Sequence, residues 1–459
     1  MNPQRLLAPE RTDRMVAPLR WFARTYALAV VAHLVGNPVG WRSDVYGGSP
    51  ALTLVGAALG VSALILLVRP DARVLGAAAA LTLVSLGLEM PVTGNHWLLM
   101  GFVALATLVS LTRTDPWSYL SVTGRWILLA FYSFAAFAKL NSGFLDPDVS
   151  CGVFYANQSL DSFGLPTFDG GPLSVLAIAG PVLTELSVPV LLAFSRTRRA
   201  GVLLALTFHS IISLDLDQHF YDFTATLVVL LCLFLPEDTT SDLEARAVRP
   251  SRIRDVVLAL TPFLILASVL PPMVATAVIL KLVSFIVWVP VATWLVVRIA
   301  QHGLGPAPLS MRLPGVAPAV IVALVVANAL SPYLEVKSST GFNMYANLVT
   351  VSGETNHLVV PGTLHLSHVQ DDMLEVVSSE VEALDVYASE NYLVPERNLL
   401  DYLARHPDAS VVVRDATGER TLDGSDGVRM SLVSRKLLPF RAVDAQDPPR
   451  CQSQWFPAL

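Results

Sequence analysis

Long apolar runs separated by short arginine-bearing connections dominate the chain between residues 18 and 332. Stretches such as ALTLVGAALGVSALILLV (51–68), VVLALTPFLILASVL (256–270) and VAPAVIVALVVANAL (316–330) are long enough as helices to span, or nearly span, a hydrocarbon core of about 30 Å. The pattern predicts helices over 18–38, 50–69, 73–89, 96–112, 125–141, 173–195, 198–214, 220–236, 254–271, 276–299 and 315–332. That makes about eleven membrane spans, with nine as the lower count. Beyond residue 333 the pattern changes. NMYANLVTV (343–351) alternates as a strand does, VPERNLLDYLARH (394–406) has the periodicity of an amphipathic helix, and SVVVRDATGERTL (410–422) is strand-like. The expected fold is an all-α polytopic membrane helical bundle followed by a small α+β extracytoplasmic domain. Its parts are a leader (1–17), a first set of helices (18–236), additional transmembrane helices (254–332) and the outer domain (333–459).

Composition strengthens the membrane reading. The chain is 53% hydrophobic and 15% charged, against roughly 25% charged residues in an average soluble protein. The net charge of −6 says little about partners, because sign is distributed by side and by domain. No basic stripe with interleaved aromatics is present, so no nucleic-acid partner is expected. The first twenty residues carry Arg5, Arg11, Arg14 and Arg20 and no apolar core, which reads as a cytoplasmic leader rather than a signal peptide.

The arginines also orient the helices. Arg69, Arg73, Arg113, Arg125, Arg196, Arg198, Arg199, Arg246, Arg249, Arg252, Arg254, Arg298 and Arg312 fall in alternate connections, while the opposite connections offer Arg42 alone. The N-terminus is therefore expected inside and the C-terminal region outside. On that topology Cys151 and Cys451 are both external and Cys232 lies within an apolar helix. An oxidising compartment would permit a Cys151–Cys451 disulfide; two free thiols are the alternative.

Ionisable groups at membrane depth need a partner, water or a task. Glu89, Asn95, His96, Lys139, His209 and the turn bearing Asp215, Asp217, His219 and Asp222 all gather towards the outer side. Lys139, ending the run FYSFAAFAKLNSGFLDP, reads by itself as a snorkelling interfacial lysine. Tyr132 shares its helix face seven positions earlier, the mark of an aromatic-lined pocket or of a packing seam. Asn95 and His96 open a helix, an ordinary capping position. His209 is a mid-helix imidazole in apolar surroundings, and Glu185 needs burial against a partner. His357, His365 and His368 follow no zinc-ligand spacing, and strand alternation would separate 365 from 368, so no metal is predicted. No phosphate loop, dinucleotide fingerprint or nucleophile elbow stands in a supporting context.

Three stretches in order resemble the HTTM family, the membrane domain shared by vitamin K-dependent γ-carboxylases and bacterial relatives. They are TGNHWLLMGFVALATLVSL (93–111), FYSFAAFAKLNSGFLDP (131–147) and the segment from Glu185 to Pro236 containing TFHSIISLDLDQHF, and together they mark 18–236 as a carboxylase-type domain. The resemblance implies that Lys139 is the base in quinol chemistry and His96 its assistant. It implies that Asn95, Tyr132, His209 and Glu185 contribute to binding a vitamin K or menaquinol-like quinol, with O2 and CO2 as co-reactants. Burial would favour a neutral lysine amine, and removal of water would protect a reactive intermediate. The resemblance has two departures. Ala138-Lys139 stands where the carboxylase has adjacent lysines, and residues 333–459 show no match to its propeptide-binding region. NALSPYLEVKSSTGFNMYANL (328–348) resembles a juxtamembrane motif of the bacterial relatives. Expected partners are a lipophilic small molecule, membrane lipids and an extracytoplasmic peptide or protein. The alternative is a non-catalytic membrane protein binding a lipid or partner at an outer polar cavity.

Overall fold

A computed structural model describes residues 15–37, 50–218, 220–269 and 274–452; Arg42, His219 and most of the leader fall outside them. The chain is mostly helical. Its first five helices are α1 (Ala17–Gly36), α2 (Pro50–Val68), α3 (Ala72–Glu89), α4 (Asn95–Leu111) and α5 (Pro116–Ala138). Two short ones follow, α6 (Ser142–Leu145) and α7 (Cys151–Asp161). Then come α8 (Gly171–Ala193), α9 (Arg198–Ile212), α10 (Phe220–Leu231), α11 (Glu237–Val248), α12 (Arg252–Val269), α13 (Val274–Gln301) and α14 (Val316–Leu330).

Each expected apolar run has a helix at its place. The fifth begins at Pro116 rather than 125, because Asp115 accepts the Ser118 N–H and Pro116 occupies the first turn, a start signal independent of hydrophobic period. The expected 220–236 helix ends at Leu231 and tightens into a 3₁₀ turn over Cys232–Phe234. Helices α7 and α11 are amphipathic connections that the apolar pattern did not reveal.

Among the described residues four helices are long and apolar enough to cross a membrane: α2, α3, α5 and α8. Shorter apolar helices include α4, α14 and Phe220–Phe234. Large apolar side chains stand exposed on the outside of the bundle, among them Leu54 and Val61 of α2 and Val175, Leu183 and Val190 of α8. Such a surface suits lipid tails rather than water. The interior is organised around α1, which packs on α2, α10, α11 and α12 and is buried along most of its length. Its buried Arg24 is neutralised by Glu244 of α11 at 2.8 Å.

The C-terminal part holds a hairpin, β1 (Thr350–Val351) with β2 (Glu354–Thr355), and a five-stranded antiparallel sheet. The sheet comprises β3 (Met373–Ser379), β4 (Tyr392–Pro395), β5 (Ser410–Asp415), β6 (Gly418–Asp423) and β7 (Val443–Asp444), in the order β6-β5-β3-β4-β7. Leu374, Val376, Val411 and Val413 alternate inward and pack with Leu384 of α15 (Glu382–Ser389) and with Leu399 and Leu403 of α16 (Glu396–Arg405). A last short helix, α17 (Leu432–Leu437), precedes β7.

The expected strand over 343–351 is not formed, apart from β1. Residues 331–349 instead make an irregular buried cover in which Glu335, Thr340, Phe342, Tyr345 and Asn347 adopt positive φ, a conformation that cannot pair as a strand. Side-chain amides hold it. Asn328 Nδ2 donates to Thr340 O at 2.9 Å, and Asn347 Oδ1 accepts the Cys151 N–H at 2.9 Å while its Nδ2 donates to Val149 O at 2.9 Å and Pro449 O at 3.0 Å. A disulfide joins Cys151 to Cys451, and Cys232 is free and buried.

Candidate functional site

Two buried polar groups occupy the interior where α4, α5, α8, α9 and α10 meet. The first is built on Lys139, the residue that closes α5. Its Nζ lies 2.6 Å from Oε2 of Glu185, which projects from α8 between Pro181 and Pro189, and both side chains are buried. The Nζ also stands 5.9 Å above the ring of Phe144, so the ammonium meets a carboxylate on one side and an aromatic face on another. The lysine therefore does not snorkel outward; burial of both partners is possible because they neutralise each other.

Tyr132, one face with Lys139 on α5, places its ring 5.8 Å from that of His209 on α9. Both are fully buried. The Tyr132 hydroxyl and both ring nitrogens of His209 have no hydrogen-bond partner among the described residues. The Lys139 ammonium is within electrostatic reach of the His209 ring, and Glu185 within reach of the Tyr132 hydroxyl. Buried polar atoms are almost always paired in proteins. Three such atoms stand together next to the Lys139–Glu185 ion pair.

The second group centres on Asp222 in the first turn of α10. His96 Nε2 lies 2.7 Å from Asp222 Oδ2, His33 Nδ1 of α1 lies 3.3 Å from the same oxygen, and Asn37 Nδ2 donates to it at 2.8 Å. On its other side His33 Nε2 meets Glu89 Oε2 at 3.2 Å, and Ser85 Oγ donates to Glu89 Oε1. Trp97 stacks on the His33 ring at 3.6 Å. Phe223 stands between the two groups, 6.3 Å from the His96 ring and 5.1 Å from that of His209.

Each candidate residue thus has a defined place. Lys139, Glu185, Tyr132 and His209 come together, whereas His96 pairs with Asp222 rather than with Lys139. Asn95 Oδ1 accepts the Phe342 N–H at 2.7 Å and so anchors the irregular cover to the start of α4. His357 caps the end of α5, with Nε2 donating to Phe137 O at 2.9 Å and Nδ1 accepting the Val359 N–H at 3.0 Å. Burial lowers its pKa below the usual imidazole value. Asp215, in the turn before α10, has its pKa raised by burial against the hydrogen bonds it accepts from Gln218 and Asp217 N–H. His365 and His368 were expected on opposite faces of a strand. They lie in a loop instead, and both contact Asp371, at 2.7 and 2.8 Å.

Among the described residues two sets bring histidine and carboxylate ligand atoms within 4.8 Å of one another: His33, His96 and Asp222, and His365, His368 and Asp371. His33 was missed by sequence reasoning. Its signal was the same as that of His209, an imidazole within an apolar run, and both stand in the last turn of their helices. Asp222, a turn residue by the sequence pattern, lies in the first turn of α10 and is the centre of the second group.

No family model, no curated protein and no solved structure matches this chain.

Proposed function

We propose that this chain is an integral membrane enzyme of the γ-carboxylase type, in which Lys139 deprotonates a quinol-like lipophilic substrate. The observation that carries the proposal is the set of orphaned polar atoms, Tyr132 Oη and His209 Nδ1 and Nε2, grouped around the Lys139–Glu185 pair. A quinol fits such a set, since each hydroxyl both donates and accepts and its ring suits the aromatic walls. When bound, the quinol supplies the reducing electrons for O2, with CO2 as a further co-reactant. Glu185 Oε2 accepts a proton from the Lys139 ammonium and leaves the amine free to take the proton of the quinol hydroxyl. Tyr132 and His209 orient the quinol oxygens, and Phe223 and Phe131 exclude water. Asp222 holds the His96 ring beside Phe223.

The proposed topology has about eleven spans, a cytoplasmic N-terminus and an extracytoplasmic C-terminal domain. A peptide or protein partner would meet the outer cleft of about 980 Å³ lined by Asp148, Asp161, Asp169, Glu390, Tyr392 and Arg450. The Lys139–Glu185 contact also favours a second reading, since an ion pair that neutralises itself is a fold-holding device as well. On that reading the chain is a non-catalytic membrane protein that holds a lipid at the same polar atoms.

Purified wild type and Lys139→Ala, each supplied with menaquinol and vitamin K hydroquinone under O2, separate the two readings. Quinol consumption by the wild type and its loss in the variant support the enzyme. Quinol binding without consumption in either form supports the second reading.

A further inference from the structure

We propose that His33, His96 and Asp222 form a binding site for one first-row divalent cation of the zinc type, inside the bundle where α1, α4 and α10 meet. Imidazole and carboxylate are the ligands such ions take, at about 2.0–2.2 Å. Three ligands at that radius stand roughly 3.3 Å apart in a tetrahedral arrangement. His33 Nδ1 and Asp222 Oδ2 are 3.3 Å apart, His96 Nε2 stands closer to that oxygen at 2.7 Å, and all three ligand atoms lie within 4.8 Å of one another, so a cation would need the His96 ring to draw back by about half an ångström.

A second observation comes from Asp222 itself. The residue is buried, yet its Oδ1 has no hydrogen-bond partner among the described residues. Carboxylate oxygens buried without a donor are costly, and a bound cation would satisfy this one.

His33 Nε2 lies 3.2 Å from Glu89 Oε2 and its Nδ1 lies 3.3 Å from Asp222 Oδ2, so a neutral ring that donates from Nε2–H presents the Nδ1 lone pair on the Asp222 side, the form that ligates a cation. Glu89 then stands behind His33 as the outer carboxylate of a carboxylate–histidine–metal arrangement, which fixes the tautomer and the ring. Ser85 holds Glu89, and Trp97 stacked on His33 fixes the ring plane.

The backbone is cut to fit the group. A Cβ on Gly36 would meet Asp222 Cβ at 3.3 Å, and one on Gly94 would meet His96 Cε1 at 2.6 Å. Glycine at both positions lets α1 approach α10 and leaves room for the His96 ring.

The test is equilibrium dialysis of the full chain in detergent, stripped with a chelator, against Zn2+, and against Co2+ as a spectroscopic probe. The expected result is one equivalent bound with cobalt absorption of tetrahedral nitrogen–oxygen ligation. Affinity should fall at least tenfold in His33→Ala and in the isosteric Asp222→Asn, and ten- to a hundredfold in Glu89→Gln, which spares all three ligands. Lys139→Ala should keep the cation, which separates this proposal from the quinol reading with which it shares His96. The variant with both His365→Ala and His368→Ala should keep it as well. Less than one equivalent in the folded wild type would overturn the proposal, leaving a hydrogen-bonded network only. So would binding that survives Asp222→Asn and Glu89→Gln unchanged, or that disappears with His365 and His368.

Discussion

Lys139 and Glu185 meet at 2.6 Å across the α5–α8 contact, 46 residues apart in sequence and both buried. Removing one partner leaves the other as an uncompensated buried charge, which typically costs about 3–5 kcal/mol. Glu185→Leu should therefore lower the unfolding free energy in detergent by that order, whereas Lys139→Met combined with Glu185→Leu should recover most of it. An unchanged unfolding midpoint for Glu185→Leu alone would show that the contact is not formed.

Lys337, in the irregular cover, gives a pH-dependent counterpart outside the spans. Burial lowers its pKa from 10.5 to about 8, with Thr340 Oγ1 as hydrogen-bond partner at 3.1 Å. The folded state thus disfavours the ammonium. The resulting destabilisation is on the order of 3 kcal/mol, full below pH 8 and fading between about pH 8 and 10.5 as the folded chain releases a proton that the unfolded chain still holds. Lys337→Met should be the more stable protein at pH 7, by about 1–3 kcal/mol. Its advantage should close as the pH rises to 10.5. Thermal scans of both proteins across that range check the prediction, and a gap independent of pH would contradict it.

The Cys151–Cys451 bond ties the start of α7 to the C-terminal segment across 300 residues. Crosslinks of long loops stabilise by about 2–4 kcal/mol. Cys151→Ser together with Cys451→Ser should lower the thermal midpoint by several degrees, through loosening of the cover that Asn347 joins to Cys151. Denatured, unreduced chain should offer a thiol reagent Cys232 alone; reduction should expose all three cysteines. Three reactive thiols without reductant would contradict the bond.

The helices were legible because lipid and core alike demand uninterrupted apolar runs, and their ends mostly fall within two residues of the pattern. What the pattern could not show is pairing between helices. His33 sits in AVVAHLVG with nothing nearby in sequence to mark it, and its partner Asp222 lies 189 residues on. Lys139, His209 and Glu185 were each visible as polar residues out of place, yet only the fold shows that Glu185 faces Lys139 and that Asp222 faces His96. The segment 343–351 misled for a different reason. Its residues alternate, but positive φ at Tyr345 and Asn347 turns the chain out of the extended conformation, and side-chain amide hydrogen bonds to the backbone take the place of a ladder.

The central claim is that Lys139 is a base acting on a quinol held by Tyr132 and His209. The most direct measurement is quinol consumption with matched O2 uptake by the purified protein, compared across wild type, Lys139→Ala, His209→Ala and Tyr132→Phe. Turnover should fall at least a hundredfold in Lys139→Ala, as removal of a general base does. In Tyr132→Phe and His209→Ala the main effect should be a raised KM. Equal turnover by wild type and Lys139→Ala, or no consumption of any quinol by folded wild-type protein, would contradict it.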